Sequence, residues 1–365
     1  MPLHYALGVR LLPWLLALLG VLSVPPTAFV AAVYVRANGV SPGSLALVSL
    51  PVLGGLSVVA ARASRRRRRA LQSMAVLVAI DLVWAGARIA RPGGEGLQAC
   101  VDTRCDGRGA FWQRVPDERE AARAGLYISA LGGAVGGTEL HAFDVLLDAE
   151  YARIPSTWHG LPNALLMSSS PSRIESLRWV PPDARGAPCI VFLHGFGGEL
   201  TAYLRAMVES EIGKRFVIVA PALDNVGIWG GARGLEVIER VASELPPEVD
   251  RSRVYLVGLS NGSIGATTVL ERPRLRALFR GTVLVSGVGE VDPKGALGGA
   301  RVLMITGKKD PRFPYEWETR QAEKLVMAGA EVELVGLAAD HYLILTHASE
   351  WTARFVTWER AGNER

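Results

Sequence analysis

The stretch Arg253-Val254-Tyr255-Leu256-Val257-Gly258-Leu259-Ser260-Asn261-Gly262 decides how this chain folds. Its first half is short, apolar and partly β-branched, the pattern of a strand covered on both faces. Gly258 to Gly262 then reads G-x-S-x-G. This is a serine on a sharp turn, with small residues two before and two after it so that the chain can pass close to itself. Asn261–Glu271 continues as a helix. A serine so placed stands at a helix N-terminus, where the dipole favours negative charge.

The same alternation extends outward from this point. Strands are expected at Arg173–Val180, Ile190–His194, Phe216–Ala220, Val254–Gly258, Thr282–Ser286, Val302–Thr306 and Glu331–Val335. Helices are expected at Leu200–Glu211, Ala232–Leu245, Asn261–Glu271 and Glu316–Ala328. Short apolar runs alternating with helical stretches give an α/β fold, a mostly parallel sheet flanked by helices. Open sheets of this kind carry their sites at the carboxyl ends of the strands, and the chemistry-bearing residues fall there. The Ser260 hydroxyl needs a base to act as a nucleophile. His341, after the last strand, is the candidate, because imidazole accepts and returns a proton near neutral pH. His347, in a final helix, is the alternative. The base needs an acid to hold its tautomer. Asp310 follows the strand Val302–Thr306, with Asp292 after the preceding strand in reserve. An oxyanion needs donors already in place. The amide of Asn261 is one, and Phe196 or Gly197 in His194-Gly195-Phe196-Gly197-Gly198 supplies the other. His194 reads as a turn-stabilising residue. Trp229 either lines the substrate pocket or packs as an ordinary surface residue.

From Arg173 to the C-terminus, these motifs in the order Ser260, Asp310, His341 resemble the α/β-hydrolase superfamily. Asp250-Arg251-Ser252-Arg253-Val254-Tyr255, ahead of the turn, is similar to esterase and polyester-depolymerase relatives. The resemblance implies an α/β-hydrolase fold, with residues 173–365 as the catalytic domain. It also implies ester cleavage through an acyl-enzyme, without cofactor or metal. Large lids in this fold often follow the sixth strand; here only Gly287–Ala300 intervenes, so a small lid or none, and an open site, are expected. The same triad would serve an acyltransferase or a serine peptidase, and a non-catalytic binding or sensing module is a third possibility.

The N-terminal part belongs to another physical regime. Leu11–Val35, Leu45–Ala61 and Leu71–Ala90 are apolar and each long enough to cross a bilayer, which needs about 20 residues. Residues 1–90 thus read as a membrane domain of about three transmembrane helices, and 91–172 as a linker and domain extension. The apolar, glycine-rich Leu126–Val135 is too short to span and is expected to pack on the catalytic domain. The net charge of +5 is concentrated in Arg62 and Arg65 to Arg69, between two apolar stretches. That placement fits a cytoplasmic loop better than a nucleic-acid surface, so no nucleic-acid partner is expected. It leaves everything after Ala90 on the non-cytoplasmic side, periplasmic or extracellular, although Arg88 and Arg91 flank that side too. The expected partners are the lipid bilayer and a small-molecule, lipid or glycan ester. Asp81, within the third span, either has a function or faces Ser49, Ser57 or Ser73 inside the bundle. Cys100 and Cys105 either close a small loop or remain two thiols. No His or further Cys lies near them at metal-ligand spacing.

Overall fold

A computed structural model describes residues 3–62, 66–91, 96–105, 110–133, 135–198, 201–224 and 226–363. Arg65 and Leu200, named above, lie outside them. The chain forms two compact units, Met1–Arg91 with Val115–Asp148, and Pro92–Arg114 with Ala149–Arg365.

The first unit is helical. Helices Leu3–Asn38 and Pro42–Arg62 contain the first two apolar stretches, and Arg67–Ile89 covers the third up to Ala90, which caps it. Pro42–Ala60 and Arg67–Ile89 are two helices long and apolar enough to cross a membrane. Ser49 Oγ donates to Asp81 Oδ2 at 2.5 Å, so the acid takes the inward-facing alternative, joining its helix to the preceding one. Leu126–Leu131 departs from expectation. It ends the helix Glu118–Leu131, capped by Asp117, and belongs with the apolar helices, where Asn38 Nδ2 donates to Glu120 O at 3.0 Å.

The second unit is built on one sheet. Its strands are β1 Leu97–Val101, β2 Glu175–Trp179, β3 Ala187–Leu193, β4 Val217–Pro221, β5 Val249–Leu259, β6 Gly281–Val285, β7 Arg301–Gly307 and β8 Glu331–Leu337. They lie in the order β1-β2-β4-β3-β5-β6-β7-β8. β1 and β2 run antiparallel, and every pair from β4 to β8 is parallel. Every residue of β3, β4 and β6 is buried, which explains their largely apolar character. All seven expected strands are present. β5 begins earlier than expected because Val249 pairs with Ala187 across a bulge.

The expected helix Leu200–Glu211 is cut short. Thr201–Val208 ends there, and Ser210 Oγ accepts from the Ile212 N–H to start a separate turn, Glu211–Arg215. β1 lies in the stretch read as a linker. Cys100 and Cys105 are disulfide-bonded around the turn that follows it. Within that turn Asp102 Oδ1 accepts from the Ile174 N–H at 2.9 Å and pairs with Arg240 at 2.9 Å. The connection from β6 to β7 carries no helix, as expected of a chain without a large lid at that place.

Candidate active site

Ser260 is the single residue between β5 and the helix Asn261–Leu270, and it is held at φ 53°, ψ −113°. Few L-residues adopt this backbone, and it costs about 1–3 kcal/mol. It persists because its surroundings fix it. The Ser260 N–H donates to Val285 O at 2.9 Å, and its carbonyl accepts from the Ser263 and Ile264 amides. Ser263 Oγ donates to Gly258 O at 2.7 Å and accepts from the Val285 N–H at 3.0 Å, locking the turn to β6. Gly262 is needed for close approach, since a Cβ there would lie 2.0 Å from Leu193 O. The Ser260 hydroxyl itself makes no cap bond.

Asp310 and His341 follow β7 and β8, at the same carboxyl edge of the sheet. His341 Nδ1–H donates to Asp310 Oδ2 at 2.8 Å. The other Asp310 oxygen accepts from the Arg312 and Phe313 amides at 2.8 and 3.0 Å. Both residues are buried, and the Phe313 ring stacks on the imidazole at 5.9 Å and 12°. The two alternatives lie elsewhere. His347 contacts Thr346 Oγ1, and Asp292 accepts from the Lys294 N–H.

The turn after β3 reaches Ser260, because a Cβ on Gly195 would lie 3.1 Å from Ser260 Cβ. Gly197 takes φ 104°, and Phe196 is 50% exposed. Among the described residues, neither the Phe196 nor the Asn261 N–H donates to a backbone carbonyl. Asn261 Nδ2 donates to Val226 O at 2.7 Å, tying the loop after β4 to the start of the helix.

His194 holds the turn as expected. Its Nδ1 donates to Gly195 O at 2.8 Å, and its Nε2 accepts from the Leu223 N–H at 3.2 Å. Burial lowers its pKa to about 4, so the ring is neutral. Trp229 corrects the expectation of a pocket-lining or surface residue. It is 0% exposed, its Nε1–H donates to His194 O at 2.9 Å, and its ring meets His194 edge-on at 5.0 Å. It supports the turn from behind.

Sequence reasoning passed over Ser286, Thr306 and Glu318, three buried polar residues behind this edge. Ser286 takes φ 49°, and none of the three side chains has a hydrogen-bond partner among the described residues. The signal that could have exposed Glu318 is its spacing one turn before Ala322 and two before Leu325, on the apolar side of its helix. Among the described residues no three His, Cys, Asp or Glu side chains cluster to hold a metal ion.

No protein-family model and no curated protein matches the chain. Among solved structures it is similar to a thermostable esterase at 19% identity, covering 51% of this chain and 59% of that one, with a TM-score of 0.41. It is similar to an acylaminoacyl peptidase of Pyrococcus horikoshii at 16%, covering 50% and 39%, with a TM-score of 0.40. A thermophilic esterase of the planctomycete Thermogutta terrifontis is 17% identical, with 50% and 86% covered and a TM-score of 0.41. The chain thus spans less than two thirds of the length of the first two. The fold rests on the sheet itself, an α/β unit whose six parallel strands, β4 to β8 with β3 among them, bring Ser260, Asp310 and His341 to one edge.

Proposed function

We propose that the sheet unit is a serine hydrolase of the α/β-hydrolase type that cleaves carboxylic esters through an acyl-enzyme. The observation that carries this reading is the hydrogen bond from His341 Nδ1–H to Asp310 Oδ2, at the same strand edge as the strained Ser260 turn. Ser260 Oγ attacks the ester carbonyl while His341 Nε2 takes its proton. The tetrahedral oxyanion is held by the amides of Asn261 and Phe196, with Gly197 as the other donor the turn offers. Collapse expels the alcohol, protonated by His341, and water attacks the acyl-enzyme by the same steps in reverse. Asp310 fixes the imidazole tautomer and balances the imidazolium charge. Trp229 and His194 act at one remove, by holding the turn that carries Phe196. The open connection after β6 leaves room for substrates of some size, and the substrate is a small-molecule, lipid or glycan ester.

The N-terminal helices anchor this unit in a membrane, with three crossings and the arginine run in the cytoplasm. The catalytic unit is then on the non-cytoplasmic side, and the Cys100–Cys105 bond supports an oxidising compartment.

The test is covalent labelling by a fluorescent fluorophosphonate, which reacts only with an activated serine. Wild type is expected to label and to turn over activated esters, and Ser260→Ala to lose both while remaining folded. Loss of a nucleophile in such a site costs several orders of magnitude in rate. Labelling retained in Ser260→Ala would refute the assignment.

A further inference from the structure

Glu318 closes the first turn of the helix Tyr315–Met327 and is 0% exposed, with no hydrogen-bond partner for either carboxyl oxygen among the described residues. Its place follows from the packing. Ala322 and Leu325 of the same helix share one core with Leu284 of β6 and with Val302 and Met304 of β7. Ser286, the residue that follows β6, and Thr306, near the end of β7, also have buried hydroxyls without partners among the described residues. They are neighbours, since the Ser286 N–H donates to Ile305 O at 3.0 Å. Glu318, one turn before Ala322, is buried on the same side of its helix. The groups that act on its carboxyl are the Asp310 carboxylate and the Gly287 amide, although that amide completes no hydrogen bond to it.

Two carboxyl groups therefore lie buried close enough to act on each other, one of them hydrogen-bonded to His341. Like charges there cannot both be sustained, and one group takes a proton. The donors decide which. Asp310 accepts three N–H bonds, from His341, Arg312 and Phe313, and Glu318 completes none. We propose that Glu318 is a positioning residue of the acid–base pair, protonated at working pH, so that the only negative charge in the site is the one on Asp310 that faces His341. Its neutrality keeps a second negative charge from repelling the Asp310 carboxylate that holds His341. This rests on the reading of Ser260, His341 and Asp310 as catalytic.

Burial, with the Asp310 charge added, pushes the Glu318 carboxyl up to about 8. It keeps its proton below that pH and loses it above. The second anion then repels Asp310 and loosens its hold on His341, so activity falls on the alkaline side. Other charged groups on the packed elements do not intervene. Glu316 and Arg320 of its own helix and Glu331 and Glu333 of β8 are exposed. Lys308 lies over the Tyr315 ring, Glu290 pairs with Lys324, and His341 is hydrogen-bonded to Asp310.

The experiment measures the rate of fluorophosphonate labelling of the full chain from neutral to alkaline pH, for wild type, Glu318→Gln and Glu318→Ala. Wild type is expected to slow above about pH 8. Glu318→Gln, uncharged and of the same shape, is expected to lose that decline. Glu318→Ala should label about tenfold more slowly at neutral pH, a small part of what a general base supplies, and Gln should restore most of this. A wild-type alkaline decline retained in Glu318→Gln, or full-rate labelling of Glu318→Ala, overturns the proposal. Absence of labelling in folded wild type removes the catalytic reading itself, and the proposal with it.

Discussion

Ser260 at φ 53° and Ser286 at φ 49° end adjacent parallel strands, so two unusual backbones stand side by side at the edge where the candidate triad meets. Each is held by its neighbour strand, Ser260 by the Val285 carbonyl and Ser286 by that of Ile305. Strain of this kind clusters at functional sites, and here it falls on the proposed nucleophile and on the buried serine beside it. Trp229 shows the same economy from behind. Trp229→Phe keeps an aromatic ring in place but removes the donor to His194 O. It is expected to cost about 1–3 kcal/mol, the penalty of a buried acceptor left without its partner. It should slow labelling while leaving the relative rates on short and long acyl esters unchanged. Thermal unfolding and a chain-length series check this, and an altered acyl preference at unchanged stability would return Trp229 to the pocket. Ser260, Asp310 and His341 were legible because each follows a strand that reads clearly. Trp229 and Glu318 were not. A tryptophan in a loop gives no sign of which way it faces, and a glutamate in a helix reads as a solvated charge until its neighbours on the apolar stripe are known.

At the scale of elements, the turn between β5 and its helix depends on the absence of side chains. A Cβ at Gly262 would lie 2.0 Å from Leu193 O and 2.9 Å from His194 O, so Gly262→Ala must push the helix away from β3. That displacement also moves the Asn261 amide relative to the turn carrying Phe196. Overpacking of this kind costs about 1–3 kcal/mol. The expected outcome is a lowered Tm together with a loss of labelling larger than the loss of folded protein; a variant with wild-type Tm and labelling rate would show that the contact is soft. The central parallel strands were legible because a strand covered on both faces is largely apolar, as in Ile190–Leu193. β1 was not. It is an edge strand with polar Gln98 and with Gly94 and Gly96 before it, and its place depends on pairing with β2 and on the Cys100–Cys105 closure. The short helix Glu211–Arg215 was hidden for a similar reason, since a single serine cap splits one helical pattern into two.

For the whole molecule, the proposed side of the membrane depends on one helix more than on the number of crossings. Arg67–Ile89 separates the arginine run from everything that follows, so placing the run in the cytoplasm places the sheet unit outside whether or not Leu3–Asn38 also crosses. The Ser49–Asp81 bond joins this helix to Pro42–Arg62, a polar tie of the kind that holds helices together in lipid. Arg88 is the exception to the charge rule at the far end of that helix, where it is buried and paired with Asp117 at 3.0 Å. The prediction is that a membrane-impermeant fluorophosphonate labels Ser260 in intact cells, with any outer barrier opened, as fully as in lysed membranes. In the same preparation, Cys100 and Cys105 should take up a thiol reagent only after reduction, while buried Cys189 needs unfolding to react. Labelling that appears only on lysis, together with thiols that react without reductant, would put the sheet unit in the cytoplasm and the arginine run on the opposite side. Reversing the charge of Arg66 to Arg69 should carry an outward-facing unit toward that arrangement, because short basic loops set orientation.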